Sequence, residues 1–165
     1  MNKPFISLIL CLVLAVPAFA QSVASRQPLQ ATVLHVIDGD TIIVRTAKSR
    51  RIKIRLYGID APEWNQPGGS DAKAALRQLR GQTVAFRKMD TDHYGRTVAI
   101  VDYMGRCINL DLVAKGNAWF YPRHCTEPWF CLQLRIAGAQ ARAAGLGLWA
   151  DKDPVPPWEW RKSER

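Results

Sequence analysis

Val, Ile and Thr crowd two early stretches, Ala31–Ile37 and Thr41–Thr46, a composition that suits extended chain. Asp38-Gly39-Asp40 lies between them, so the pattern predicts a β-hairpin. Arg51–Tyr57 alternates strictly, with Arg51, Lys53, Arg55 and Tyr57 on one face and Ile52, Ile54 and Leu56 on the other. That period predicts a half-buried strand with a basic outer face. Gly58–Gly69 reads as a loop, punctuated by Pro62, Pro67 and Gly68-Gly69, and Ser70 stands where it can cap a following helix. Ala72, Ala75 and Leu79 have helical spacing over Asp71–Leu79, and Gly81 ends the element. Val84–Lys88 and Thr97–Tyr103 predict two more strands, joined by Asp90–Arg96. Asn109–Lys115 predicts a short helix ending at Gly116, and Leu132, Ile136, Ala139 and Ala143 mark a longer one ending near Gly145. Strands first, one helix between the third and fourth, then helices: this is an α+β chain. Its order is that of a five-stranded OB-type Greek-key β-barrel with about three α-helices.

The first 20 residues differ in kind. Lys3 precedes an apolar run, Phe5–Val16, and small residues at Ala18 and Ala20 suit cleavage after Ala20. The run is too short to span a bilayer comfortably, and Cys11-Leu12 lacks the small residues expected before a lipidated cysteine. The expected division is a signal peptide over 1–20, a flexible lead over 21–30, one domain over 31–150, and a Pro- and Trp-containing tail over 151–165. The mature chain is expected in a periplasm or outside the cell, without stable membrane association and as a monomer.

Charge narrows the partners. The 165-residue chain has 23 basic and 14 acidic residues, a formal +9; losing Lys3 with the leader leaves 22 against 14, or +8. Such a balance favours polyanions: nucleic acid, anionic lipid or acidic glycan. Four cysteines become three when Cys11 departs. In an oxidising compartment, the proximity of Cys125 and Cys131 across a short loop favours a disulfide between them, with Cys107 free and buried. There is no C-x-x-C, and the histidines at 35, 93 and 124 are scattered, so no structural zinc site is expected.

Three segments hold candidate chemistry: Asp38-Gly39-Asp40-Thr41, then Arg55 to Glu63, then Thr91-Asp92-His93-Tyr94-Gly95-Arg96. Taken singly each has a plain reading as a turn, a surface charge or a loop before a helix. Together they contain what phosphodiester hydrolysis needs. Asp40 and Asp60 are oxygen ligands for a hard cation, Arg55 and Arg96 are clamps for the phosphate, and Glu63 is a carboxylate for the attacking water.

In their order the segments resemble the thermonuclease family, the staphylococcal-nuclease-like secreted nucleases. That family's signature is Asp-Gly-Asp-Thr, then Arg-Leu-x-x-(Ile/Val)-Asp-x-Pro-Glu, then Asp-x-Tyr-Gly-Arg. The likeness runs from about Ala31 to Trp160 and includes Gly147-Leu148-Trp149 and the Pro154–Trp160 run. It implies a Ca2+ site made by Asp40, Asp60 and the backbone carbonyl of Ala61. It further implies phosphate binding by Arg55 and Arg96, and Glu63 as general base or water orienter. The products implied are 3′-phosphate ends from DNA and RNA. Tyr94, Tyr121 and His93 are the candidate substrate-binding side chains; His93 stands where the staphylococcal enzyme has lysine. Trp119, Trp149, Trp158 and Trp160 are expected to pack the core or tail. Two rival readings remain: a catalytically inactive OB-fold nucleic-acid-binding module, and a basic exported protein that adheres to anionic envelope or glycan. The first is expected to lack at least one of Arg55, Glu63, Arg96, Asp40 and Asp60, and all five are present.

Overall fold

The computed structural model describes residues 27–164; the expected signal peptide and residues 21–26 of the lead lie outside them. Strand β1 (Leu29–Val36) starts inside the expected lead, because Leu29 and Gln30 pair with a later strand. It turns through the Asp38–Asp40 tip into β2 (Thr41–Thr46), which runs antiparallel to β3 (Arg51–Leu56). A two-residue strand β4 (Ile59–Asp60) and the helix α1 (Gly69–Arg77) follow. Next comes a hairpin of β5 (Thr83–Thr91) and β6 (Thr97–Tyr103). β5 lies antiparallel to β1, and β6 meets β3 in parallel, with Arg55 opposite Val98. The ring β3-β2-β1-β5-β6-β3 is therefore a closed five-stranded mixed barrel. Closure leaves no long open edge, which removes the usual aggregation hazard of a small sheet.

The short strand β7 (Arg106–Cys107) prolongs β6 and leads into α2 (Ile108–Ala114). Then come β8 (Trp119–Phe120), α3 (Pro128–Ala143) and α4 (Pro157–Ser163). Four α-helices are thus present among the described residues, the fourth in the tail. Pro157 begins α4, where its missing N–H costs nothing and its φ suits a helix start.

Inward-facing Val33, Ile42, Val44, Ile54, Leu56, Val84, Phe86 and Val101 fill the barrel, each essentially without exposure. α1 adds Ala72 and Leu76, and α3 adds Leu134 and Ala137 beside Leu112 and Val113 of α2. Extra residues in β1, near Leu34, and in β5, near Met89, shift the register of their pairs. Such bulges bend strands sharply, and the one in β5 sits just before the acidic turn at the barrel rim.

α3 turns a different face inward from the one its spacing marks: Leu132, Ile136, Ala139 and Ala143 are exposed, and Phe130, Cys131, Leu134, Ala137 and Ala141 meet the core instead. Two further local expectations change. α1 is not capped by Ser70: it begins at Gly69, after Gly68 in the left-handed conformation (φ 85°), with no side-chain cap. A tight turn precedes it, in which Gln66 N donates to Glu63 O at 3.0 Å and Gly69 N donates to Gln66 O at 2.9 Å. A Cβ at Gly69 would overlap the Glu63 carbonyl, so the start of the helix is fixed by that close approach. The second change is at Tyr57. The alternation of β3 ends at Leu56, and Tyr57 turns inward with only 3% exposure.

Candidate active site

Asp40 occupies the end of the first hairpin. Its backbone N donates to Asp38 Oδ1 at 3.1 Å, and its carbonyl accepts from Leu56 N at 2.8 Å. Asp38 thus shapes the turn, and the turn is tied to the end of β3. Gly39 is required for a different reason: a Cβ there would lie 2.7 Å from that of Ala61 and would collide with that of Ala72. The hairpin tip therefore packs directly onto the second motif and α1. The Asp40 carboxylate accepts from Thr41 Oγ1 at 2.9 Å and from the Ala61 backbone N at 2.8 Å.

Asp60 is on β4, backbone-paired with Trp119, and is 1% exposed. Arg55, from β3, joins the two aspartates. Its Nη2 donates to Asp60 Oδ1 at 2.7 Å, and its Nη1 abuts Asp40 Oδ2. Burial holds the Arg55 guanidinium below its ordinary value; Asp60 opposes that shift and the like charge of Arg96 adds to it. An anion entering between Arg55 and Arg96 would relieve this strain between like charges.

Arg96 lies in the β5–β6 turn. Its Nε donates to Asp92 Oδ2 at 2.6 Å, so both terminal nitrogens remain for another partner. Asp92 Oδ1 also accepts from the backbone N of Tyr94 and of Arg96. Tyr94 is 74% exposed and stacks on His93 with 3.8 Å between ring centroids.

Asp40, Arg55, Asp60, Glu63 and Arg96 all line one cleft of about 580 Å³, together with His93, Tyr94 and Tyr121. His124 reaches it as well; the sequence shows the histidines apart, yet two of the three meet at this opening. Trp119 packs against Trp149 and Trp158, at 4.3 and 5.6 Å between centroids, and Tyr121 packs against Trp158 at 5.3 Å. These tryptophans join the tail to the strand that pairs with Asp60. Cys125 and Cys131 form a disulfide, and Cys107 is a free, half-buried thiol. The disulfide loop is held through Tyr57, whose hydroxyl accepts from the backbone N of Thr126 and of Glu127.

Three residues that sequence reasoning passed over complete the setting. Arg161 on α4 donates from Nη2 to Asp60 Oδ2 at 2.7 Å and from Nη1 to Glu63 Oε1 at 2.6 Å. Partial burial opposes its charge, but the hydrogen bonds and charges of Asp60 and Glu63 outweigh that and hold it above the ordinary arginine value. Gln66, buried in the loop after Glu63, accepts from Glu63 N at 3.1 Å and donates to Val155 O at 2.6 Å. Asn109, fully buried at the start of α2, joins β6 to the end of β3. Arg161 had one available signal, the Pro-Pro-Trp-Glu-Trp-Arg run with proline at a helix start.

Among the described residues no group of three or more His, Cys, Asp and Glu side chains is arranged to hold a metal ion. The two buried carboxylates of Asp40 and Asp60 and the adjoining Ala61 backbone form an all-oxygen donor set. That chemistry fits a hard cation with the rest of its shell supplied by water and substrate.

A closed five-stranded barrel carrying paired carboxylates and arginines in a rim cleft defines an OB-like α+β protein with a charged site at the barrel rim. Residues 53–151 match the family described as staphylococcal nuclease homologue. The chain is 39% identical over 145 residues to an uncharacterized endonuclease of Haemophilus influenzae, covering 87% of this chain and 79% of that one. It is 38% identical over 135 residues to an uncharacterized endonuclease of Escherichia coli O157:H7, covering 81% and 85%. To the micrococcal nuclease of Shigella flexneri it is 35% identical over 164 residues, covering 93% and 88%. The chain belongs to the staphylococcal nuclease family.

Proposed function

We propose that this protein is an exported, calcium-dependent nuclease that hydrolyses phosphodiester bonds of DNA and RNA and leaves 3′-phosphate ends. The observation that carries this reading is the convergence of Asp40, Arg55, Asp60, Glu63 and Arg96, from separate segments, on one cleft. Arg55 and Arg96 grip the non-bridging oxygens of a phosphodiester, and their charge is worth most as the phosphorus gains a fifth substituent. Glu63 holds or deprotonates the attacking water in line with the leaving 5′ oxygen. Asp40, Asp60 and the Ala61 carbonyl would hold calcium, which would supply positive charge to offset the negative charge gained by the phosphate. Asp92 keeps Arg96 aimed before substrate arrives, so little ordering remains to be done on binding.

Recognition through the backbone suits both sugars, and Tyr94, His93 and Tyr121 offer aromatic surfaces for bases at the cleft. The likeness in sequence supports the choice of scissile bond. Export is supported by the character of residues 1–20 and agrees with the Cys125–Cys131 disulfide. The experiment is digestion of plasmid and RNA with added calcium against digestion with a chelator, followed by end-group analysis of the fragments. Digestion only with calcium, ending in 3′-phosphates, is expected; equal digestion with chelator would remove the metal from the reading. No digestion of either substrate would favour the inactive binding module.

A further inference from the structure

Arg161 engages the wrong groups for a phosphate clamp. Its guanidinium donates to both oxygens of Asp60, at 2.7 and 3.3 Å, and to Glu63 Oε1 at 2.6 Å. These are the carboxylates to which the reading above gives the cation and the attacking water. A guanidinium on both oxygens of a carboxylate takes the lone pairs that a hard cation needs, and on Glu63 it occupies an oxygen that a water-handling group needs. Arg161 and a divalent cation therefore compete for the same atoms.

The charge count agrees. With Arg96 ion-paired to Asp92, the three carboxylates of Asp40, Asp60 and Glu63 are met by Arg55 and Arg161, and without Arg161 they keep an excess of two negative charges. Arg161 halves that excess, and a dication would cancel it. Arg55 touches the same aspartates, but it is rooted in β3, within the barrel's hydrogen-bonded ladder, with a side chain only 15% exposed. The Arg161 side chain is 41% exposed and rides on a seven-residue helix near the C-terminus. α4 itself is docked independently of these contacts. Asn65 Nδ2 donates to Glu164 Oε2 at 2.8 Å, and Trp158 packs on Trp119 and Tyr121. A swing of one side chain thus frees the carboxylates while the helix stays in place.

We propose that Arg161 is the internal counter-cation of the metal site. It holds Asp60 and Glu63 when no divalent ion is bound, gives them up to the ion, and so sets the ion concentration at which Glu63 becomes available. This inference rests on calcium binding at Asp40 and Asp60.

The test is titration calorimetry of calcium into the full chain and into Arg161→Gln, Arg161→Lys and Lys162→Gln, with near-ultraviolet circular dichroism to check packing. Arg161→Gln is expected to bind calcium roughly tenfold tighter. Arg161→Lys keeps the charge but cannot fork across two carboxylates, and should fall between it and wild type. Lys162 is an exposed cation on the same helix, and its removal should change affinity by less than about twofold. Unchanged or weaker binding by Arg161→Gln overturns the inference, as does an equal gain in Lys162→Gln, which would assign the effect to the general field. If wild type binds calcium and Arg161→Gln matches it, only the inference falls. If neither binds at millimolar calcium, the metal reading falls and takes the inference with it.

Discussion

Asp92 holds Arg96 in three ways. Its Oδ2 accepts from Arg96 Nε at 2.6 Å, its Oδ1 accepts from Arg96 N at 2.9 Å, and its own backbone N donates to Arg96 O at 3.0 Å. Desolvation works to raise the Asp92 pKa, but the bonds from Arg96, with help from Tyr94 N, outweigh it and hold it below the usual 3.8. A carboxylate depressed in this way lends stability that is present above the unfolded value and lost as pH falls through the lower, folded one. In urea unfolding, wild type should therefore weaken progressively below about pH 4, and Asp92→Asn should show a flatter acid limb. At neutral pH the variant should raise KM on oligonucleotides more than it lowers kcat, because Arg96 is still charged but no longer aimed. An acid limb as steep as wild type would disprove the assignment.

Glu63→Gln keeps the shape of the side chain and removes its carboxylate. Turnover is expected to fall about 100-fold or more, while binding of a short oligonucleotide, read by fluorescence anisotropy, changes little. A parallel loss of binding would mean that Glu63 organises the cleft and does not act on water.

The fully buried Asn109 accepts from Val101 N at 3.0 Å and donates to Tyr57 O at 2.9 Å and Ala99 O at 3.2 Å. Asn109→Ala would leave one backbone donor and two carbonyls buried without this partner. A loss of about 3 kcal/mol in denaturant unfolding is expected. A loss under about 1 kcal/mol would show that water replaces the amide.

The Cys125–Cys131 disulfide closes a short loop, so its removal by a double Cys→Ser change should cost about 2 kcal/mol. The loop carries the Tyr57 contacts, and the same variant should also lose some activity through the neighbouring β3 end and Asp60. Burial pushes the Cys107 thiol up from its ordinary value, so it should react slowly with alkylating reagents at neutral pH until the protein is unfolded. Rapid labelling of the native protein would contradict this.

Much of this architecture was written locally. Val33, Ile42, Val44, Ile54 and Leu56 alternate in sequence and point inward in the barrel, because the period of a strand is a property of neighbouring residues. The side chains that line the cleft were legible as candidates for a similar reason, since each motif keeps its members within a few residues. What stayed hidden depends on distant chain. Tyr57 continues the polar row in sequence, yet turns inward because Thr126 and Glu127 meet its hydroxyl from 69 and 70 residues away. Arg161 reads as one more charge in a tail of mixed charge until α4 docks and brings it to Asp60, 101 residues earlier. Ser70 fits the local pattern of a cap and is displaced by the close approach of Gly69 to the Glu63 backbone.

The parallel pairing of β3 with β6 sets Arg55 beside Val98, two residues past Arg96. The gap between the two arginines is thus measured by a main-chain ladder, whatever the length of polypeptide that connects them. The turn at Gln78–Gln82 between α1 and β5, exposed at Arg80 and Gly81, can then accept an inserted peptide or new chain termini without respacing the two arginines. Strand register, and not loop length, is what an engineer of this scaffold would have to preserve.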